Sequence, residues 1–348
     1  MSNDNMTTAA ELRELANQQP DSPEAIVGFA KQLFNMTCVQ DEAGTKAAVE
    51  ELGKLAEQHP EYTAVTVRFA QGLFNLTCVQ DETGAMATIE ELSKLADRYS
   101  DYEEVVAALA QGLVNLANRQ DEAGTRTTVS KLRKLANEHP NNEVIAVSLA
   151  YGLVDLANKQ DESGALTAVK KLKKLANQHP DNQMLVVTLA YGLADLASKQ
   201  NEAGAKDAVA KLRILADRHP HLPELVVELA KGLVNLANQQ NEKGATATVA
   251  KLRKLADLHP GSAEIIVALA FGLFDLACKQ DAEAAEVTVA ELRELSHRHP
   301  GNEEVLIRFI NGLVVLANKQ GEANAEATVA ELQELAEQYP ALFKGNYH

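Results

Sequence analysis

Six histidines recur in one frame of the chain. His59, His139, His179, His219, His259 and His299 occupy equivalent places, and Tyr99 and Tyr339 fill the two remaining ones. Imidazole is a common zinc ligand, but zinc gathers its ligands within about 2 Å of one ion. This ladder offers one ring per repeat and tolerates Tyr. Aromatic packing or a role at a helix carboxyl end is expected instead, with no metal. His297 and His299 are two apart, so on a helix they point to different faces.

Three cysteines, Cys38, Cys78 and Cys278, also share one place, where the other repeats carry Asn or Ser. Equivalent positions on stacked helices lie at least about 8–10 Å apart, beyond the roughly 7 Å between Cα atoms that a disulfide spans. They read as small half-buried fillers. No Gly-rich loop follows a strand, and no Ser, Cys or Lys stands in a recognisable nucleophile setting. No enzyme activity and no cofactor are expected.

A third set of residues suits recognition. One place reads Asn35, Asn75, Asn115, Asp155, Asp195, Asn235, Asp275 and Val315; four residues earlier stand Lys31, Gln71, Gln111, Tyr151, Tyr191, Lys231, Phe271 and Asn311. Carboxamides and carboxylates in a ladder can pair with the amides of an extended peptide at about 0.5–1.5 kcal/mol per net bond. The aromatic rings can serve as anchors. The alternative is that Asn and Asp merely cap or bridge neighbouring repeats.

The elements that must position these residues follow from a repeat. Segments beginning at Pro20, Pro60, Ser100, Pro140, Pro180, Pro220, Pro260 and Pro300 align at a 40-residue step without insertion. Self-similarity at such a period marks an array in which stacking neighbours complete each other's core. Start signals such as Ser22-Pro23-Glu24, Asn142-Glu143 and Asn302-Glu303 open a first helix. A break is expected across Asp161–Gly164 and its equivalents, and a second helix ends before the next proline. Residues 1–7 read as a disordered start, 8–19 as a cap helix opened by the capping box Thr8–Glu11, 8–339 as a single solenoid, and 340–348 as a tail.

Helical wheels assign places to the two helices. In the fourth repeat Ala146, Leu149, Ala150, Leu153, Leu156 and Ala157 make one face, widened by Val147 and Val154, so the first helix is packed on most sides. The second helix has a narrow apolar arc, Val169, Leu172, Leu175 and Ala176, and faces water with Lys170, Lys171, Lys173 and Lys174. Gly152 and its equivalents sit inside the first helix at about 1 kcal/mol each relative to Ala, which predicts close approach of a neighbouring helix backbone.

Ala168, Leu172 and Leu175 followed by Pro180, with Leu149-Ala150 and Leu153 in the first helix, resemble the tetratricopeptide repeat. The unit here is about six residues longer than that family's, with the surplus placed between the halves, and Leu stands where the family has aromatic residues. The resemblance implies an all-α fold, a right-handed α-α superhelix (helical-repeat solenoid) of about seventeen antiparallel helices. It also implies an inner groove lined by first helices that binds a peptide or helical segment of a protein. The candidate groove residues are Lys31, Asn35, Asn75, Asn115, Tyr151, Asp155, Tyr191, Asp195, Lys231, Asn235, Phe271 and Asp275.

Charge refines the partner. The 348 residues carry 49 acidic and 33 basic side chains, a formal net charge of -16. That opposes a general affinity for phosphate backbones and favours a partner with basic residues. The second helices are basic in mid-chain (Lys131, Arg133, Lys134, Lys211, Arg213, Lys251, Arg253 and Lys254, beside the lysines above) and acidic at both ends (Glu50, Glu51, Glu90, Glu91, Glu291, Glu294, Glu331, Glu334). A nucleic-acid stripe or staggered self-association is the alternative reading. Lacking a basic leader and any run near 18 apolar residues, the chain reads as cytoplasmic, with no membrane contact.

Overall fold

The computed structural model describes residues 13–343 apart from 15, 17, 20, 21 and 322–324. Among them every regular element is helical. The first helices of the eight repeats are α1 (Pro23–Thr37), α3 (Thr63–Val79), α5 (Glu103–Arg119), α7 (Glu143–Lys159), α9 (Gln183–Lys199), α11 (Pro223–Gln239), α13 (Ala263–Lys279) and α15 (Glu303–Gln320). The second helices are α2 (Glu42–Gln58), α4 (Glu82–Arg98), α6 (Glu122–Glu138), α8 (Glu162–Gln178), α10 (Glu202–Arg218), α12 (Glu242–Leu258), α14 (Ala282–Arg298) and α16 (Glu326–Gln338). A short α17 (Pro340–Phe343) follows. Arg13, Glu14, Ala16 and Gln18 are helical; the rest of the expected cap helix, the expected disordered start at 1–7 and the end of the expected tail at 344–348 lie outside the described residues.

The break inside a repeat is shorter than the sequence suggests. Only Gln160 and Asp161 separate α7 from α8, and Gly164 belongs to the first turn of α8. The Asp161 carboxylate accepts the Gly164 N–H at 2.9 Å, satisfying one of the four amides that a helix start leaves unpaired. Gln160 then folds over that turn, where a Cβ on Gly164 would fall 2.7 Å from the Gln160 Cβ. The surplus over the tetratricopeptide unit is therefore not a long link between the halves. In the fourth repeat it is absorbed into the two helices, 17 residues each. In five repeats the link glutamine is tied further on: Gln80, Gln120, Gln240, Gln280 and Gln320 each accept a bond from the Thr eight residues later, at 2.7–2.8 Å.

The histidine ladder closes the second helices. His179 is the C-cap of α8; its N–H donates to the Leu175 carbonyl and its own carbonyl accepts from Asn182 N–H. The same pair of backbone bonds recurs at His59, His139, His219, His259, His299 and at Tyr99, which is why either ring is tolerated. The ring of His59 stacks on Tyr62 at 5.8 Å and that of Tyr99 on Tyr102 at 5.5 Å.

Two compact units make up the chain, Met1–Leu185 and Val186–His348, and each is built in the same serial way. In the first, α5 packs against α3, α4, α6 and α7, whereas α6 packs against α5 and α7. In the second, α13 packs against α11, α12, α14 and α15, and α12 against α11 and α13. First helices thus carry the core and second helices lie over them with one side in water. The core is aliphatic: Leu132, Ile145, Leu153 and Leu172 in the first unit and Leu212, Leu233, Leu252 and Leu273 in the second are each at most 2% exposed. The protein is an all-α helical-repeat solenoid. Among the described residues no helix is long and apolar enough to cross a membrane.

Candidate partner-binding surface

The carboxamides of the ladder face the preceding repeat. Asn75 Nδ2 donates to Thr37 Oγ1 at 2.8 Å and lies 3.3 Å from Cys38 Sγ. Asn115 does the same to Thr77 Oγ1 at 3.0 Å and Cys78 Sγ at 3.1 Å, and Asn235 Nδ2 donates to the Ala194 carbonyl at 3.0 Å. These three side chains bridge consecutive first helices. Asn35 and Lys31, in the first repeat, are exposed.

Cations at the ends of first helices reinforce the same joints. Lys159 Nζ reaches the Ala117 carbonyl at 2.7 Å and Thr125 Oγ1 at 3.0 Å; Lys279 reaches the Asn238 carbonyl and Lys319 those of Cys278 and Gln280. A positive charge on the last carbonyls of a neighbouring helix is favourable both as a hydrogen bond and against the helix dipole. The three cysteines are free and exposed, so they are not the half-buried fillers expected. The neighbouring Thr, at 37 and 77, takes the buried place.

The aromatics divide. Phe271 lies under the guanidinium of Arg308, 3.9 Å from its ring centroid, so one face is already covered. Tyr191 has the Lys231 ammonium 5.8 Å from its ring centroid, and Lys231 is itself paired at 2.6 Å with Glu228. Glu228 is buried; burial pushes its carboxyl up, Lys231 opposes that, and Asp195 adds to it.

Tyr151 is placed differently. With Gln111, Val114, Asn115, Val147 and Ser148 it lines a depression of about 440 Å³ that Phe74, Val144 and Met184 also border, and its hydroxyl lies 3.1 Å from Met184 Sδ. One turn along the same helix face is Asp155, half-buried. Burial raises its carboxyl to about 6, with Lys159 pulling the other way. The Lys159 ammonium sits between the end of α5 and the start of α6, and among the described residues the Asp155 carboxylate makes no hydrogen bond or ion pair. Asp275 is raised for the same reason, with Lys279 and Arg308 opposing.

Asp195 sits half-buried on α9. Among the described residues no group of three or more His, Cys, Asp or Glu is placed to hold a metal ion. No protein-family model and no curated protein matches the chain.

Proposed function

We propose that this solenoid is a protein-interaction scaffold, and that in its first unit the segment it takes lies along α5 and α7 with a basic residue at Asp155. The observation that carries this reading is the pairing of an open, largely apolar depression beside Tyr151 with an unneutralised half-buried carboxylate one turn away. An aromatic ring at the edge of a pocket is the usual anchor of a recognition surface. A desolvated carboxylate gains most from a Lys or Arg brought by the ligand, because the cost of its burial is already met in the free protein. Tetratricopeptide arrays, which the repeat resembles, use the same helices for peptide capture. Asp195, Asp275 and Lys231 are assigned to selectivity further along, while Asn75, Asn115 and Asn235 hold the repeats in register.

The test is fluorescence anisotropy of the intact chain with labelled peptides that combine Leu or Phe with Lys or Arg. Asp155→Lys and Tyr151→Ala should each weaken binding by about tenfold or more with unchanged circular dichroism. Unchanged affinity in both variants would reject this surface as the binding site.

A further inference from the structure

At one register, neighbouring second helices are joined by ion pairs. Arg253 on α12 holds Glu291 on α14 by two bonds of 2.7 Å, Nε to Oε1 and Nη2 to Oε2. Arg293 holds Glu331 in the same way at 2.6 Å, and Arg13 meets Glu51 at 3.1 Å. In each case the partners are 38 residues apart. The identical register in the third and fourth repeats puts Arg133 of α6 against Lys171 of α8.

There the arginine is kept at the register and the carboxylate is replaced by a second cation. Arg133 and Lys171 both line two adjoining hollows of about 570 and 460 Å³ between α6 and α8, and Lys174 borders the second. Among the described residues no carboxylate lies within ion-pair distance of Arg133 or Lys171. The acids at one end of the crevice are engaged: Glu122 by Arg126 and Gln160, Asp161 by the Gly164 N–H. The Lys171 ammonium is depressed by burial first and by Arg133 second, as expected of two cations facing one another without a counter-ion.

We propose that the crevice between α6 and α8 is a docking site for a Glu- or Asp-rich segment of another protein, whose carboxylate enters between Arg133 and Lys171 as Glu291 does beside Arg253. Arg presents a planar fork that suits a carboxylate bidentately, and the chain's own bridges show that this register accommodates one. The flanking Lys131, Lys134, Lys170 and Lys174 extend the attraction along the helices. The occupants this register already holds within the chain, Glu51, Glu291 and Glu331, are all carboxylates, which favours a carboxylate over a phosphate. In the second unit, Arg213 and Lys251 stand at the same register on α10 and α12.

The experiment measures anisotropy of a labelled Glu-rich peptide, a Lys-rich control and a single-stranded oligonucleotide on the full chain, with sedimentation velocity at the same concentrations. The Glu-rich peptide should bind in a salt-sensitive manner and more tightly than the oligonucleotide. Lys171→Glu should weaken it by about tenfold or more and at the same time raise the thermal midpoint, because the new carboxylate closes on Arg133. Lys171→Gln should lose affinity without that gain, and Lys46→Glu on α2 should do neither. Affinity unchanged by Lys171→Glu overturns the site. Tighter oligonucleotide binding with the same dependence on Lys171 overturns the occupant in favour of nucleic acid, and a dimer dissolved by Lys171→Glu overturns it in favour of a second copy of the chain.

Discussion

The Cβ that Gly152 lacks would fall 2.8 Å from Cδ1 of Leu132, the residue through which the preceding second helix presses into the first helix of the next repeat. The relationship recurs: Gly72 faces Leu52, Gly112 faces Ile89, Gly232 faces Leu212, Gly272 faces Leu252 and Gly312 faces Leu292, at 2.6–3.1 Å. The glycines were expected to admit a neighbouring backbone. They admit a leucine or isoleucine side chain, and the deeper seat of that side chain is what offsets their poor helix propensity.

Gly152→Ala should therefore be net destabilising by about 1 kcal/mol, an overpacking cost of about 1–3 kcal/mol less the roughly 1 kcal/mol gained in helix propensity. In a Leu132→Ala background the sign should reverse, since the methyl then enters vacated space. Urea midpoints of the four variants check both statements. A full propensity gain in the wild-type background would show that Leu132 yields without cost.

Leu153, 2% exposed, packs where α7 meets α6 and α8, and truncation to Ala should cost about 2–5 kcal/mol as a cavity. Stability in such an array is a sum of repeat and nearest-neighbour contributions. Hydrogen exchange should accordingly lose protection first in α5–α8, with α1 and α2 retaining theirs. Uniform loss along the chain would contradict the one-dimensional description.

The repeat period, the two-helix unit and the assignment of packed and water-facing helices were legible because each rests on local pattern: proline spacing, the Ser and Asn caps, and the width of the apolar arc. The break is shorter than the sequence suggests because Gly164, which reads as a helix stop, lies in the first turn of α8. Only the Asp161 cap and the fold of Gln160 over it show that it opens a helix. The inward use of Asn75 and Asn115 depends on which repeat face they meet, which periodicity alone does not decide. The bridges between second helices leave a trace in the sequence: Arg253 with Glu291 and Arg293 with Glu331 are each 38 residues apart, two short of the repeat.

Asn115 separates joint from groove. Its amide donates to buried Thr77, so Asn115→Ala should cost about 0.5–1.5 kcal/mol, and Asn115→Asp should cost at least as much, replacing a donor with a charge. Thermal melts supply the stability readout. Affinity for a basic peptide should stay within about twofold of wild type after Asn75→Ala, the equivalent joint amide outside the depression, whereas a loss as large as that of Asp155→Lys would return the carboxamide ladder to the binding surface.

Asp155 gives the array an unusual dependence on pH. Its carboxyl is raised from 3.8 to about 6 in the folded chain, so the folded state holds a proton more tightly than the unfolded one. Stability from this group is present at low pH and declines as pH rises from about 4 through 6. Asp155→Asn should consequently be more stable than wild type by about 1–2 kcal/mol at pH 7, after allowance for solvent screening, and the advantage should vanish near pH 4. Asp275 and Glu228, raised for the same cause, work in the same direction. A bound Lys or Arg favours the ionised form and lowers the carboxyl again, so affinity for a basic peptide should fall as pH drops below about 6, by no more than tenfold per pH unit for a single proton. Denaturant midpoints and peptide affinity, measured between pH 4 and 8 on wild type and Asp155→Asn, check both halves. A flat affinity profile in wild type would remove Asp155 from the site, and an unchanged difference in stability across that range would show that its carboxyl is not raised.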